Sequence, residues 1–146
     1  MSGQILLVSG PNLDLLGARS PEIYGTATLE EHVRRFREAA LDAGYGVSDV
    51  QSNFEGDLIE AIHAARGTVD AIVVNLGALT HTSWALADAL VMFEGVKIEV
   101  HLSNPAAREP FRHVSTIAGV VNGTIAGFGG LSYDLALVAV RRLLEG

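Results

Sequence analysis

The stretch "VDAIVVN" (residues 69–75) decides the fold class. Its interior, residues 71–74, is wholly apolar, and a short apolar run of this kind is typical of a strand buried on both faces. A strand buried on both faces needs helices above and below its sheet. The stretch therefore predicts an α/β protein with a parallel sheet, and it ends on a polar residue, Asn75.

Outward from this strand, short apolar runs alternate with amphipathic helical patterns in both directions, without an internal repeat or a linker. We predict one catalytic domain over residues 1–146, with a flavodoxin-like three-layer sandwich around a five-stranded parallel sheet. The predicted strands are 4–9, 45–52, 69–75, 97–103 and 116–121, and the predicted helices are 28–44, 55–67, 81–93 and 131–145. Ligands of such sheets bind beyond the carboxyl ends of the strands, so we expect function in the loops after residues 9, 75 and 103.

Composition excludes several classes of protein. The net charge of −7 disfavours broad contact with nucleic acid or an anionic membrane. The absence of cysteine excludes disulfides, thiolate metal sites and a cysteine nucleophile. The N-terminus lacks the basic and apolar regions of a signal peptide, and no apolar run reaches the length of a membrane span. We therefore expect a cytoplasmic protein.

The first βα connection, "SGPNLDLLGARSPEIYG" (9–25), is long for its type, and long loops in compact domains are usually lids or binding loops. It carries Asn12 directly after the strand, and Arg19 and Tyr24 five residues apart. Two interpretations remain open for these residues. They belong to a binding site, or Asn12 is a turn residue, Arg19 a surface charge and Tyr24 a partly packed ring.

The loop "NLGALTHTS" (75–83) places Asn75 at a strand end and His81 close to a helix start. Thr80, Thr82 or Ser83 is available to cap that helix, whose N-terminus is suited to an anion or a hydroxyl-rich ligand. The alternative makes Asn75 a turn former and the hydroxyls simple caps.

The strand "KIEVHLS" (97–103) carries apolar residues on one face and polar residues on the other. A strand covered on both faces should be apolar on both, so the polar face meets a polar site, a subunit contact or water. Glu99 and His101 are neighbours on that face, and a carboxylate beside an imidazole orients the ring and favours its protonated form, as a general acid requires. An edge strand with solvated charges is the alternative.

Three further charged residues are candidates. Arg108 and Arg112, in "NPAAREPFRHVS" (104–115), are suited to bind a carboxylate unless they belong to a solvated loop. Asp88 lies off the core stripe of its helix, on a face shared with Trp84, Val91 and Met92. That setting indicates a contact with another subunit, and an ordinary surface aspartate is the alternative.

Together these motifs resemble the type II 3-dehydroquinate dehydratase family. The resemblance covers essentially the whole chain and rests on "GPNLDLLGARSPEIYG" (10–25), "NLGALTHTS" (75–83), "EVHLSN" (99–104), "REPFRHVS" (108–115) and "AGFGGLSYDLAL" (126–137). It implies a flavodoxin-like enzyme that dehydrates 3-dehydroquinate to 3-dehydroshikimate without metal or cofactor. Aromatic biosynthesis and quinate breakdown share this step, and the motifs do not distinguish them.

The resemblance also implies roles for individual residues. Tyr24 takes a proton from C2, Arg19 stabilises the reactive form of Tyr24, and Asn12 holds a water. His101 protonates the departing C1 hydroxyl and is oriented by Glu99. Residues at the family's substrate-binding positions are Asn75, His81, Leu102, Ser103 and Arg112, and Asp88 matches a residue that reaches the site of a neighbouring subunit.

The family typically forms a dodecamer of four trimers, so the resemblance implies a homo-oligomer whose ligand is a small molecule, without nucleic acid or membrane. The chain departs from the usual motifs at Asp14, Ser20, Leu76 and Ala87. None of these departures removes a catalytic group, but Leu76 and Ala87 bear on subunit packing.

Three other functions are possible on such a sheet: a flavodoxin or phosphate-binding module, a signalling receiver or interaction domain, and an inactive scaffold. The first needs a phosphate cradle after the first strand, where this chain has Pro11 and two leucines. The second needs acidic residues at the strand ends, where this chain has Ser9 and Asn75. The third conflicts with the presence of every catalytic residue of the resembled family.

Overall fold

The computed structural model describes residues 3–146. The strands are β1 (Gly3–Ser9), β2 (Tyr45–Gln51), β3 (Ala71–Asn75), β4 (Val96–His101) and β5 (Gly123–Ala126). The helices are α1 (Pro21–Tyr24), α2 (Leu29–Asp42), α3 (Glu55–Ala65), α4 (Trp84–Val91) and α5 (Leu131–Glu145), with short 3₁₀ turns at Leu13–Leu15, Gly77–His81, Pro105–Ala107 and Pro110–His113.

All five strands pair in parallel, in the order β2-β1-β3-β4-β5. This is the flavodoxin-like order, so the predicted fold class is confirmed. The strand that decided the fold class, β3, lies at the centre of the sheet, and each of its five residues is buried.

Alternating side chains of the central strands separate the core into two layers. On one face Ile5, Leu7, Val73 and Val100 pack with α2 and α5. On the other face Leu6, Val8, Ile72 and Val74 pack with α3 and α4. Glu99 lies on this second face of the sheet, because it is paired with Val74 of β3.

Helix ends follow the capping signals. Thr28 caps α2 by accepting a hydrogen bond from Glu31 N at 3.1 Å, and Ser83, among the three candidates, caps α4 by accepting one from Leu86 N. The apolar period in 28–44 predicts a shared core face for Val33, Phe36, Ala40 and Leu41, and for Leu41 this prediction is wrong. Leu41 is 69% exposed, since the buried stripe of α2 ends at Ala40.

The predicted strand at 116–121 is also wrong: the fifth strand is Gly123–Ala126. The apolar run before it turns back on itself, with Val120 N donating to Ile117 O, and fully buried Ile117 packs in the α3 and α4 layer. Thr116 N donates to the carbonyl of Thr80, so this segment pairs with the loop after β3 instead of with β4. The helices within residues 3–146 lack the length and apolar character needed to cross a lipid bilayer.

Candidate active site

The carboxyl ends of β1, β3 and β4 meet at one edge of the sheet, as the topology requires. The exits of β1 and β3 are packed against each other: Gly10 N donates to Asn75 O at 2.8 Å. A Cβ at Gly10 would lie 2.3 Å from the carbonyl oxygen of Leu76, so only glycine permits this approach. The loops that leave this edge enclose the front cleft.

The front cleft encloses about 390 Å³ of empty space, including its open mouth. Its lining comes from all three predicted loops. The residues are Leu13, Arg19, Tyr24, Asn75, Gly77, Ala78, His81, His101, Leu102, Ser103, Pro105, Arg108 and Arg112.

Two arginines contact Tyr24 in the lining of the front cleft. The Cζ atom of Arg19 is 4.3 Å from the centroid of the Tyr24 ring, and that of Arg108 is 5.1 Å away. Guanidinium groups remain charged at all relevant pH values. Two permanent positive charges therefore lie within about 5 Å of the ring centroid.

His101 is buried and paired with Glu99. Its Nε2 atom is 2.6 Å from Glu99 Oε2, and Glu99 is 1% exposed. Because an ionised carboxylate only accepts hydrogen bonds, Nε2 carries the hydrogen and donates it. The alternative of an edge strand with solvated charges is wrong, since β4 lies between β3 and β5 and both side chains are buried.

The Glu99 carboxyl ionises readily in spite of its burial. Burial alone raises its pKa, but hydrogen bonds from His101, Ser115 and Thr124 outweigh that effect and hold the pKa below its ordinary value of 4.5. Glu99 is thus an anion at neutral pH and a fixed acceptor for His101.

Asn75 and His81 are held in place by backbone partners. Asn75 Oδ1 accepts a hydrogen bond from Gly77 N at 3.1 Å. His81 Nδ1 is 2.7 Å from the carbonyl of Val114, which can only accept, so Nδ1 carries the hydrogen and Nε2 is left as an acceptor. Buried Tyr133 supports Asn75 from below. Burial raises the pKa of Tyr133 to about 12, although hydrogen bonds with Ser9 and Asn75 act in the opposite direction.

The third loop contributes charge and hydroxyl groups. Arg108 Nη1 donates to Ser103 Oγ at 3.2 Å, and Arg112 Nε donates to Glu109 Oε1 at 3.0 Å. The side chains of both arginines are mostly covered, at 16% and 15% exposure, so neither belongs to a freely solvated loop.

Three predicted site residues do not line the front cleft. Asn12 is exposed at the end of β1 in a left-handed conformation (φ 69°), and its backbone N–H donates to Asn53 Oδ1. Asp88 is exposed on α4, beside the exposed side chains of Trp84 and Met92. Glu99 lies behind His101 and lines a second opening.

Sequence reasoning overlooked several contributors to this region. Leu13, Ala78 and Pro105 line the front cleft without any chemical signal in their residue types. Ser115 and Thr124 bind Glu99 from 16 and 25 residues away, and no local spacing indicates such a pair. Within the described part of the chain, no three His, Asp or Glu side chains form a group suited to hold a metal ion.

Comparisons with known proteins agree with this architecture. The family model described as dehydroquinase class II matches residues 3–141. The chain is 53% identical to 3-dehydroquinate dehydratase 1 of Corynebacterium efficiens, covering 94% of this chain and 91% of that protein. It is 54% identical to the 3-dehydroquinate dehydratase of Ruegeria pomeroyi, covering 93% and 91%. The crystal structure of type II dehydroquinase from Propionibacterium acnes matches with a TM-score of 0.92 at 44% identity, covering 97% of this chain and 98% of that one.

Proposed function

The chain belongs to the class II dehydroquinase family, and from this premise we propose that it is a hydro-lyase of the shikimate pathway that converts 3-dehydroquinate to 3-dehydroshikimate. Support comes from the family model, which matches residues 3–141. It also comes from two relatives, 53% and 54% identical to this chain, whose names are those of 3-dehydroquinate dehydratases. The residue roles below follow from the site geometry combined with the family resemblance.

Tyr24 is the proposed base. Its phenolate takes the proton from C2 of the substrate, next to the ketone, and the electron pair of that C–H bond moves into the carbonyl to give an enolate. Arg19 and Arg108, whose guanidinium groups lie 4.3 and 5.1 Å from the ring centroid, stabilise the phenolate that this step needs. The family resemblance assigns to Asn12 a water that stabilises the enolate oxygen, and this water would have to extend from Asn12 into the cleft, because Asn12 itself does not line it.

His101 is the proposed acid. When the enolate collapses, the bond between C1 and its hydroxyl oxygen breaks, and His101 supplies the proton that turns the departing hydroxyl into water. Glu99 stabilises the imidazolium and fixes the ring through the 2.6 Å contact. One proton leaves C2 and one joins the hydroxyl, so the net change is the loss of one water and no redox partner is needed.

Substrate binding is assigned to the remaining polar lining. Arg112, Ser103 and the backbone beside Leu102 suit the substrate carboxylate, while Asn75 and His81 suit its hydroxyl groups. We further propose that the chain forms a homo-oligomer, a dodecamer built from trimers, in which Asp88 of one subunit reaches the site of the next. The exposed position of Asp88 on α4 is compatible with that role.

The single observation that carries this mechanism is that Tyr24 and His101 line the same cleft. The test is a direct assay in which purified protein is incubated with 3-dehydroquinate and the ultraviolet absorbance of the conjugated enone is followed. Appearance of the enone is expected, and its absence, or a flavin spectrum on the purified protein, contradicts the proposal. In His101→Ala, exchange of the C2 proton with solvent should continue without dehydration, because the enolate forms but its hydroxyl cannot leave.

A further inference from the structure

The carboxylate of Glu99 is held by two hydroxyl groups in addition to His101. Ser115 Oγ lies 3.1 Å from Oε1 and 3.0 Å from Oε2, and Thr124 Oγ1 lies 3.0 Å from Oε1. With His101 Nε2 on Oε2, three donors share the two oxygens. Glu99 is 1% exposed, so its two oxygens depend mainly on these three donors, although Thr124 itself is exposed.

The hydroxyl of Ser115 has only one direction in which to donate. The backbone N–H groups of Ala118 and Ile117 donate to its oxygen at 3.0 and 3.3 Å, and these two bonds use its lone pairs. Its hydrogen is left for the carboxylate. Such a chain of donors polarises the hydroxyl and strengthens its bond to an anion.

The register between β4 and β5 places the side chain of Thr124 beside that of Glu99. β4 and β5 pair in parallel with Glu99 opposite Thr124, and opposite residues project to the same face of the sheet. In the described structure the Thr124 hydroxyl is bonded to Glu99 Oε1. Its removal therefore changes the environment of Glu99 with little other loss.

Charged and titratable groups approach this carboxylate from few directions. His101 contacts it from the same strand. The second opening, which Glu99 lines, is also lined by His81, Arg112 and His113 from the turns at 77–81 and 110–113. From β5 and from the segment at 115–118, the groups that contact Glu99 are the neutral hydroxyls of Thr124 and Ser115.

We propose that Ser115 and Thr124 are positioning residues of the acid: they keep Glu99 anionic and fix the oxygen that accepts the hydrogen of His101 Nε2. Nε2 is thereby committed to Glu99, and the Nδ1 edge of the ring is left for the substrate. The inference rests on the proposed function, because it assigns His101 as the acid. It adds two residues that act through Glu99 and touch no substrate.

The test measures kcat, KM and the pH profile of kcat for Ser115→Ala and Thr124→Val. We expect kcat to fall about tenfold in Ser115→Ala and about three- to fivefold in Thr124→Val, with KM within about twofold. A carboxylate that has lost a donor takes up a proton at higher pH. The acidic limb of the profile should therefore move to higher pH in both variants.

Control variants separate positioning from folding. Thr124→Ser retains the hydroxyl and should restore the wild-type profile. Thr116→Val is the matched control. Thr116 lies next to Ser115 in the chain, but its hydroxyl donates to the carbonyl of Ser83 and not to Glu99. It should lower the melting temperature without moving the profile. Thr124→Val is nearly isosteric, so a folding defect in Ser115→Ala leaves the proposal testable.

A second readout does not depend on turnover. In this experiment the ¹⁵N chemical shifts of the His101 ring are recorded by NMR on the assembled protein as a function of pH. The midpoint of the change in shift gives the pH at which the Glu99–His101 pair titrates. We expect this pH to differ from wild type in Thr124→Val and to return in Thr124→Ser. Unchanged pH profiles and unchanged spectra in both hydroxyl-deletion variants overturn the inference. A wild-type protein without dehydratase activity overturns the proposed function instead, and the NMR comparison still decides the role of the hydroxyls.

Discussion

At the scale of single residues, the proposed mechanism needs a phenolate at Tyr24 and a proton on the ring of His101. A free phenol is almost wholly protonated at neutral pH, and each tenfold gain in phenolate requires about 1.4 kcal/mol of preferential interaction. Two guanidiniums, 4.3 and 5.1 Å from the Tyr24 ring centroid, can share that requirement once water is excluded. At the proposed acid, the neighbouring group is instead a buried carboxylate, since Glu99 Oε2 lies 2.6 Å from His101 Nε2.

Replacing Tyr24 by Phe removes only the phenolic oxygen, which in the proposed mechanism accepts the C2 proton. We expect kcat to fall by about 10²–10⁴-fold while substrate binding stays within about tenfold, because the ring and both arginines remain. Steady-state kinetics and isothermal titration with 3-dehydroquinate measure the two quantities separately. Retained turnover in Tyr24→Phe would end the assignment of the base.

Glu99 gives a pH dependence of stability whose sign is fixed. Its pKa in the folded protein lies below 4.5, so the unfolded chain binds the proton more readily. The stabilisation from Glu99 is fully present above about pH 4.5 and is lost as the pH falls through the folded-state pKa. In Glu99→Gln we expect the free energy of unfolding, measured in urea at fixed protein concentration, to decrease less steeply below pH 4.5. Equal slopes in the two proteins would contradict this.

At the scale of elements, local patterns located most of the secondary structure. The 3.6-residue period and the capping residues identified α2 to α5, because helix signals are contained in adjacent residues. The fifth strand was misplaced because an apolar run cannot show whether it pairs with a sheet or turns to fill a core. The one-turn helix α1 was not predicted, since its four residues, none of them fully buried, are too few to show an apolar period.

The segment 17–25 is the element that we predict to act as a lid. Gly17 and Gly25, at its two ends, have φ values of 96° and 81°, which favour glycine, and most of its residues are exposed. We expect trypsin to cut after Arg19 preferentially in the ligand-free protein, and substrate or product to slow that cleavage by closing the segment over the cleft.

Cleavage after Arg66, an exposed arginine at the end of α3, provides the internal control for the lid. Its rate should not depend on ligand. Mass spectrometry of the fragments distinguishes the two sites. Equal protection at both sites, or an absence of cutting in 17–25 without ligand, would count against a mobile lid.

At the scale of the whole molecule, α4 presents an apolar surface around one charge. Trp84, Val91 and Met92 are 69%, 56% and 51% exposed, and Asp88 lies among them. An apolar face of this kind is typical of a subunit contact. The proposed assembly would cover it and bring Asp88 to a neighbouring site.

Intersubunit complementation tests that assembly. Asp88→Ala and Tyr24→Phe should each lose most activity alone, whereas co-expressed chains should regain about a quarter of the wild-type activity, since random mixing gives that share of sites with both intact residues. Light scattering should give about twelve times the mass of one chain. A monomeric mass, or mixtures as inactive as the single variants, would contradict the role of Asp88.

The sequence by itself determined the fold class, the family and the edge of the sheet where the site lies. These follow from the apolar β3 run, the alternation of strands and helices, and motifs whose residues are close together in the chain. The tertiary structure alone decided that Arg108 joins Arg19 at the Tyr24 ring, that Asn12 does not line the cleft, and that Ser115 and Thr124 hold Glu99. Those contacts depend on strand register and loop closure, which act between residues distant in the chain and leave no periodic signal in it.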